Sequence, residues 1–116
     1  MAGAVVAAAR KVHERLGNGM LPRVYKDAIG AEFEVQQIAF LRNLEIPDPS
    51  MYGVLRCMHR VDFLCYDSLL VELIMAARIT AKDIRMTMKR LQITGLNRAL
   101  LVVLGSEEMQ FKKLLR

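Results

Sequence analysis

The chain has 116 residues, 53% of them apolar, and carries 17 basic against 12 acidic side chains for a formal net charge of +5. That length suits one domain, and no Gly/Pro/Ser-rich linker divides it. Charges such as Asp62, Asp67 and Glu72 interrupt every apolar run before it reaches the roughly 18–20 residues that a membrane span needs, so no membrane partner is expected. Basic charge gathers at the ends. Residues 1–29 hold five basic and two acidic groups, residues 30–77 three and seven, and residues 78–116 nine and three. Such a split suits contact of the ends with a polyanion while the acidic middle does something else.

The first predicted element is a helix over residues 4–16, basic toward its C-terminal end as the helix dipole prefers, and stopped by Gly17-Asn18-Gly19. Its Ala/Val-rich start followed by Arg10, Lys11 and Arg15 is also the composition of an organelle presequence, against which Glu14 and the lack of Ser speak. A second helix opens at Pro22, a good first-turn residue, and places Tyr25, Ile29, Phe33 and Phe40 on one stripe before fading near residues 41–43. Pro47 and Pro49 then impose a loop, because each lacks an amide hydrogen and drives the preceding residue toward an extended shape.

With Asp48 as N-cap and Pro49 in the first turn, the pattern predicts a third helix over residues 49–77. Its apolar residues, Val54, Leu55, Val61, Leu64, Leu69 and Leu73 among them, cover nearly the whole circumference, so several sides need covering. At 1.5 Å per residue this rod is roughly 40 Å long, more than the flanking helices can shield, and a second polypeptide is expected to cover it. Cys57 and Cys65 would lie about 12 Å apart along its axis, too far for a disulfide. They read as buried reduced thiols of an intracellular protein. Thr80 and Asp83 have the spacing of a capping box, opening an amphipathic helix through Ile84, Met88 and Leu91 to about Gln92. Thr94-Gly95 ends it, and residues 96–104 and 109–115 read as one or two more helical pieces. No strand alternation or internal repeat stands out, so the predicted class is all-α, one domain over residues 1–116.

Two stretches resemble the histone-fold family. Arg78-Ile79-Thr80-Ala81-Lys82-Asp83-Ile84 is similar to the second loop and third-helix start of archaeal histones, core histones and histone-like transcription-factor subunits. Leu21-Pro22 followed by Val24, Ile29 and Phe33 resembles the opening of the first core helix. The resemblance implies a histone fold with its core at about residues 21–92, an extra N-terminal helix at 4–16 that tilts it toward the histone-three type, and a C-terminal extension at 95–116. Ala76 stands where the family usually has an Arg, Glu32 and Glu34 lie where DNA-binding members are basic, and no basic tail is present. These departures point to a divergent, lineage-specific or viral member.

On this resemblance the chain would dimerise with another histone-fold protein through Val61, Leu64, Leu69, Leu73, Ile84 and Met88. It would package duplex DNA by meeting phosphates at Arg23, Arg42, Arg78, Thr80 and Lys82, in the nucleus, chromatin or virion. Two other roles fit: a histone-fold interaction subunit of a transcription or centromere complex, and a small helical accessory subunit of an organellar complex, in the mitochondrion. Catalysis is not expected. His13 and His59 lie far apart with no acidic residue arranged to orient them, and no Ser or Cys nucleophile has a base at a meaningful spacing. Gly17-Asn18-Gly19 lacks the strand, spacing and Lys of a phosphate loop. No metal, cofactor or small-molecule substrate is expected, and Met86 and Met88 read as core filler.

Overall fold

A computed structural model describes residues 1–48 and 58–116. Helices α1 (Ala2–Leu16) and α2 (Pro22–Val35) precede strands β1 (Phe40–Pro47), β2 (Met58–Cys65) and β3 (Leu69–Ile74). Helix α3 (Ala81–Thr94) and strands β4 (Arg98–Val103) and β5 (Gln110–Leu115) complete the chain. The five strands lie in the order β1-β2-β3-β4-β5, antiparallel throughout except for the parallel pair β3 and β4, between which α3 is the crossover. The expected all-α histone fold is thereby overturned. The predicted rod over residues 49–77 contains β2, a tight turn and β3; its opening turn, with Val54, Leu55 and Cys57, lies outside the described residues.

The reason is burial on both faces. In β3 every residue from Leu69 to Leu73 is buried, and in β4 so is every residue from Ala99 to Val103. Strands covered on two sides carry continuous apolar runs without period-two alternation, and such a run has the same pattern as a buried helix. Strand β2 does alternate, with His59, Val61, Phe63 and Cys65 buried between more open neighbours. The β2–β3 turn at Tyr66-Asp67 places both residues at φ +55, and Ser68 N donates to Cys65 O at 3.1 Å. This is a three-residue loop, Tyr66 to Ser68, between the paired Cys65 and Leu69, made without the Asn-Gly or Asp-Gly pair that announces a hairpin.

The apolar surface assigned to a partner is buried within the chain itself. Helices α1 and α2 cover one face, where Val5, Val12, Tyr25, Ile29 and Phe33 meet Phe63, Leu69, Val71, Leu73, Leu100 and Val102. Phe33, Phe40 and Phe63 form a three-way edge-to-face cluster with centroids 5.1–5.7 Å apart. Helix α3 covers the other face, with Leu91 against Val61, Leu70, Ala99 and Leu101. Of the residues expected at a dimer interface, Leu69 and Leu73 belong to the first core and Val61 to the second, against which Leu64, Ile84 and Met88 pack. A three-layer sandwich covers its sheet intramolecularly, so the physical ground for a second polypeptide disappears.

Local chemistry holds the layers. The capping box at α3 is complete: Asp83 N donates to Thr80 Oγ1 and Thr80 N donates to Asp83 Oδ2. The helix ends at Gly95, at φ +77, whose amide donates to Leu91 O. Gly105 is required for a different reason, since a Cβ there would stand 2.0 Å from Met75 O. His13 is buried on α1 and donates from Nε2 to the carbonyls of Leu104 and Ser106, tying the first helix to the end of β4.

Candidate functional site

The ladder between β2 and β3 runs from Cys65↔Leu69 to Phe63↔Val71 and stops, while β2 continues alongside β1 as far as Met58↔Pro47. The two strands therefore splay one residue before the ladder would reach Asp62 and Glu72. Asp62 compensates for the lost pairing: its Oδ2 accepts from Leu73 N at 2.7 Å, the backbone donor that the separation frees. Its Oδ1 lies 2.9 Å from Lys26 Nζ on α2, and the Asp62 side chain remains 18% exposed. Asn43, at φ +56 in β1, is the residue opposite this break.

Glu72 is an acid inside an apolar strand and points to the α3 side. Its Oε2 accepts from Thr87 Oγ1 at 2.6 Å and its Oε1 pairs with Arg90. Arg90 also donates from Nε to His59 Nδ1 at 3.2 Å, and His59 donates from Nε2 to Asp48 Oδ2 at 3.0 Å. Because a guanidinium only donates, His59 must accept at Nδ1 and carry its hydrogen on Nε2. Lys89 adds a second contact to Asp48, also at 3.0 Å. The network Asp48–His59–Arg90–Glu72–Thr87 thus links the residue that follows β1 to β2, α3 and β3, and no buried side-chain polar atom among the described residues lacks a partner.

A pocket of about 310 Å³ opens where these groups meet, lined by Arg60, Asp62, Glu72, Ile74, Lys82 and Arg90, together with Leu73, Asp83 and Met86. A larger cleft, about 830 Å³, runs along the outer side of α3 against Arg116, and none of its described lining residues is acidic. The smaller pocket is the candidate site because its carboxylates, Asp62 and Glu72, come from neighbouring strands at the splay and face Arg60, Lys82 and Arg90. The clefts at Asp27, Glu34 and Arg42 and at Arg10, Glu14, Glu107 and Glu108 draw their acids from helices and a loop. Hydrolases of phosphate esters commonly set a divalent cation between such carboxylates and the substrate. The donors here do not fit one. A hard dication takes about six oxygen ligands. Yet each oxygen of Asp62 and Glu72 already accepts a hydrogen bond or ion pair, and two of those partners are cations of the chain. Among the described residues no group of three or more His, Cys, Asp or Glu side chains is placed to hold a metal ion.

The residues expected to meet phosphate are scattered by the fold. Arg23 and Arg42 both lie beside Asp27, at 3.9 and 2.7 Å, away from the pocket. Arg78 is exposed before α3, Thr80 caps that helix, and Lys82 in its first turn lines the pocket. Asp62, Glu72, His59 and Arg90 were not singled out as functional. The available signal was Glu72, a carboxylate within the run Leu69-Leu70-Val71-Glu72-Leu73-Ile74, since a charge inside a buried strand requires a partner. Cys65, by contrast, is an inert thiol: burial raises its pKa to about 12.

A family profile described as "PD-(D/E)XK nuclease superfamily" matches residues 1–114. No curated protein and no solved structure matches the chain. The profile match overturns the resemblance to histones, whose two short motifs here serve other ends: Thr80 and Asp83 cap α3, and Leu21-Pro22 opens α2.

Proposed function

The chain belongs to the PD-(D/E)XK nuclease superfamily, and from that premise we propose that it acts on the phosphodiester backbone of nucleic acid at the pocket between β2, β3 and α3. Membership of an enzyme superfamily replaces the expected non-enzymatic DNA-packaging role and both of its alternatives. The letters of the motif read onto this chain as Val61-Asp62 on β2 and Glu72-Leu73-Ile74 on β3. The two acids are present on neighbouring strands, the leading Pro is Val61, and the closing Lys is Ile74.

The observation that carries the reading is the coincidence of those two acids with a cation-lined pocket at the splay. Lys26 brings an ammonium to Asp62 from α2, which supplies positive charge at the motif despite Ile74. Arg60 and Lys82 stand at the rim, both exposed, and Lys82 has no ion-pair partner among the described residues. Arg and Lys side chains so placed can hold the oxygens of a phosphate over the acids, where in-line attack by water would take place.

Labelled single- and double-stranded DNA and RNA oligonucleotides test this. Expected are saturable binding and strand scission, both weakened by charge reversal at Lys82 (Lys82→Glu), with scission abolished in Asp62→Asn. Neither binding nor scission of any of the four substrates would refute the proposal.

A further inference from the structure

We infer that the pocket is charge-balanced by the chain's own Lys26 and Arg90 and receives a backbone phosphate without a divalent cation. The phosphate half rests on the function proposed above; the exclusion of the metal stands on the pocket's side chains alone.

Each of the two cations occupies a carboxylate and is held there by another partner. Lys26 Nζ lies 2.9 Å from Asp62 Oδ1 and also donates to Asn43 Oδ1 at 3.4 Å. Arg90 pairs with Glu72 and donates to His59, which Asp48 in turn holds. Neither cation can leave without breaking its second contact. A dication placed between Asp62 and Glu72 would therefore face two fixed positive charges in a pocket whose deeper acid is only 8% exposed. At short range in a partly desolvated site that repulsion is weakly screened. The position that closes the motif is no help, since Ile74 packs into the α3-side core and offers no polar atom.

The charge total agrees. The lining holds Arg60, Lys82 and Arg90 against Asp62, Glu72 and Asp83, and Asp83 is committed to the cap of α3. With Lys26 on Asp62 and Glu45 on Arg60 the charges cancel, so the carboxylates are already neutralised and none is left over to offset a dication. In other hydrolases a metal neutralises the carboxylates and the phosphate together. Here the carboxylates are neutralised from within; Lys82 is left for the phosphate, and Arg60 joins it by leaving Glu45, an exposed partner.

Mn²⁺ titration of the full chain, followed by calorimetry and by electron paramagnetic resonance of the free ion, reads the metal half without nucleic acid. Wild type is expected to take up no Mn²⁺ saturably, and the double variant Lys26→Gln/Arg90→Gln to gain a stoichiometric site, at least about tenfold tighter than any residual wild-type uptake. Stoichiometric Mn²⁺ binding by wild type that disappears in Glu72→Gln would overturn the inference, and so would failure of the folded double variant to gain a site. If the double variant does not fold, Lys26→Gln alone, at a part-exposed side chain, is read in its place. In parallel, oligonucleotide affinity of wild type should agree within about twofold between chelator and Mg²⁺. An affinity that depends on Mg²⁺ overturns the phosphate half. Absence of oligonucleotide binding in both conditions overturns the proposed function instead, and the Mn²⁺ result then judges the charge balance separately.

Discussion

The two faces of one sheet are buried by different physics. On the α1–α2 side the contacts are almost wholly apolar, with three phenylalanines at the centre and, among the described residues, only His13 and Glu32 as buried polar groups at its margin. On the α3 side, Glu72, Thr87, His59 and Asp48 are buried beside Leu91 and Val61, and they are tolerable there only because each has its hydrogen-bond partners. Apolar packing loses stability in proportion to the volume removed, whereas a polar network incurs a desolvation penalty whenever one partner is removed. The first face should therefore set stability, and the second should set the geometry of the pocket.

The largest expected effect is on the apolar face. Phe63→Ala should lower unfolding free energy by about 3–5 kcal/mol, measured in urea, since Phe63 is fully buried between Phe33 and Phe40. An effect under about 1 kcal/mol would erase the contrast between the faces. A pair of substitutions sharpens the polar side. His59→Asn keeps an acceptor near the Nδ1 position for Arg90, while His59→Gln keeps a donor toward Asp48 and loses that acceptor. Asp48 retains Lys89, so the Gln variant should be the less stable by about 1 kcal/mol, with the order reversed if Asp48 is the contact that counts.

Smaller still is a pH effect at the margin of the apolar face. Glu32, held by Gln36 and by Lys11 at 3.2 Å, has its pKa lowered, first by the Gln36 hydrogen bond and then by Lys11. A carboxyl depressed by folding stabilises above its ordinary value of 4.5, and that contribution is lost as pH falls through the lower folded value. Glu32→Gln should accordingly flatten the acid limb of a pH–stability profile; an unchanged limb would show that the Lys11 and Gln36 contacts do not act in solution. The smallest effect concerns Cys65, whose thiol is neutral until about pH 12 in the fold and until about 9.0 when unfolded. Any stability gained by keeping it neutral is present below pH 9.0 and lost as pH rises toward 12. In a Cys57→Ser chain at pH 8, Cys65 should be alkylated only as fast as the protein unfolds.

The three helices could be read along the chain because their signals are local. Pro22 opens α2, the Thr80–Asp83 pair caps α3, and Gly17 and Gly95 stand at helix ends, each within a turn of what it controls. The sheet could not. β3 and β4 are apolar at nearly every position, β5 is largely exposed, and the hairpin at Tyr66-Asp67 lacks the residues that normally mark a turn with positive φ. The resemblance to histones rested on seven residues around a helix cap and on a Leu-Pro helix start, features that any amphipathic helix can share.

By itself, then, the order of residues determined where α2 and α3 begin and where Gly17 and Gly95 stop α1 and α3, that the chain must bury an unusual apolar surface, and that basic charge collects toward its C-terminal third. It did not determine the end of α2, which stops at Val35, or the strands at 58–74 and 98–115. Tertiary structure alone decided that this surface closes on itself. It also decided that Asp62 and Glu72, ten positions apart, meet at one splay, and that Arg90 reaches back 31 residues to His59. The physical reason is range: caps and helical periodicity act over three or four residues, whereas strand pairing and the partners of a buried charge are chosen among groups that only the folded sheet brings within 3 Å.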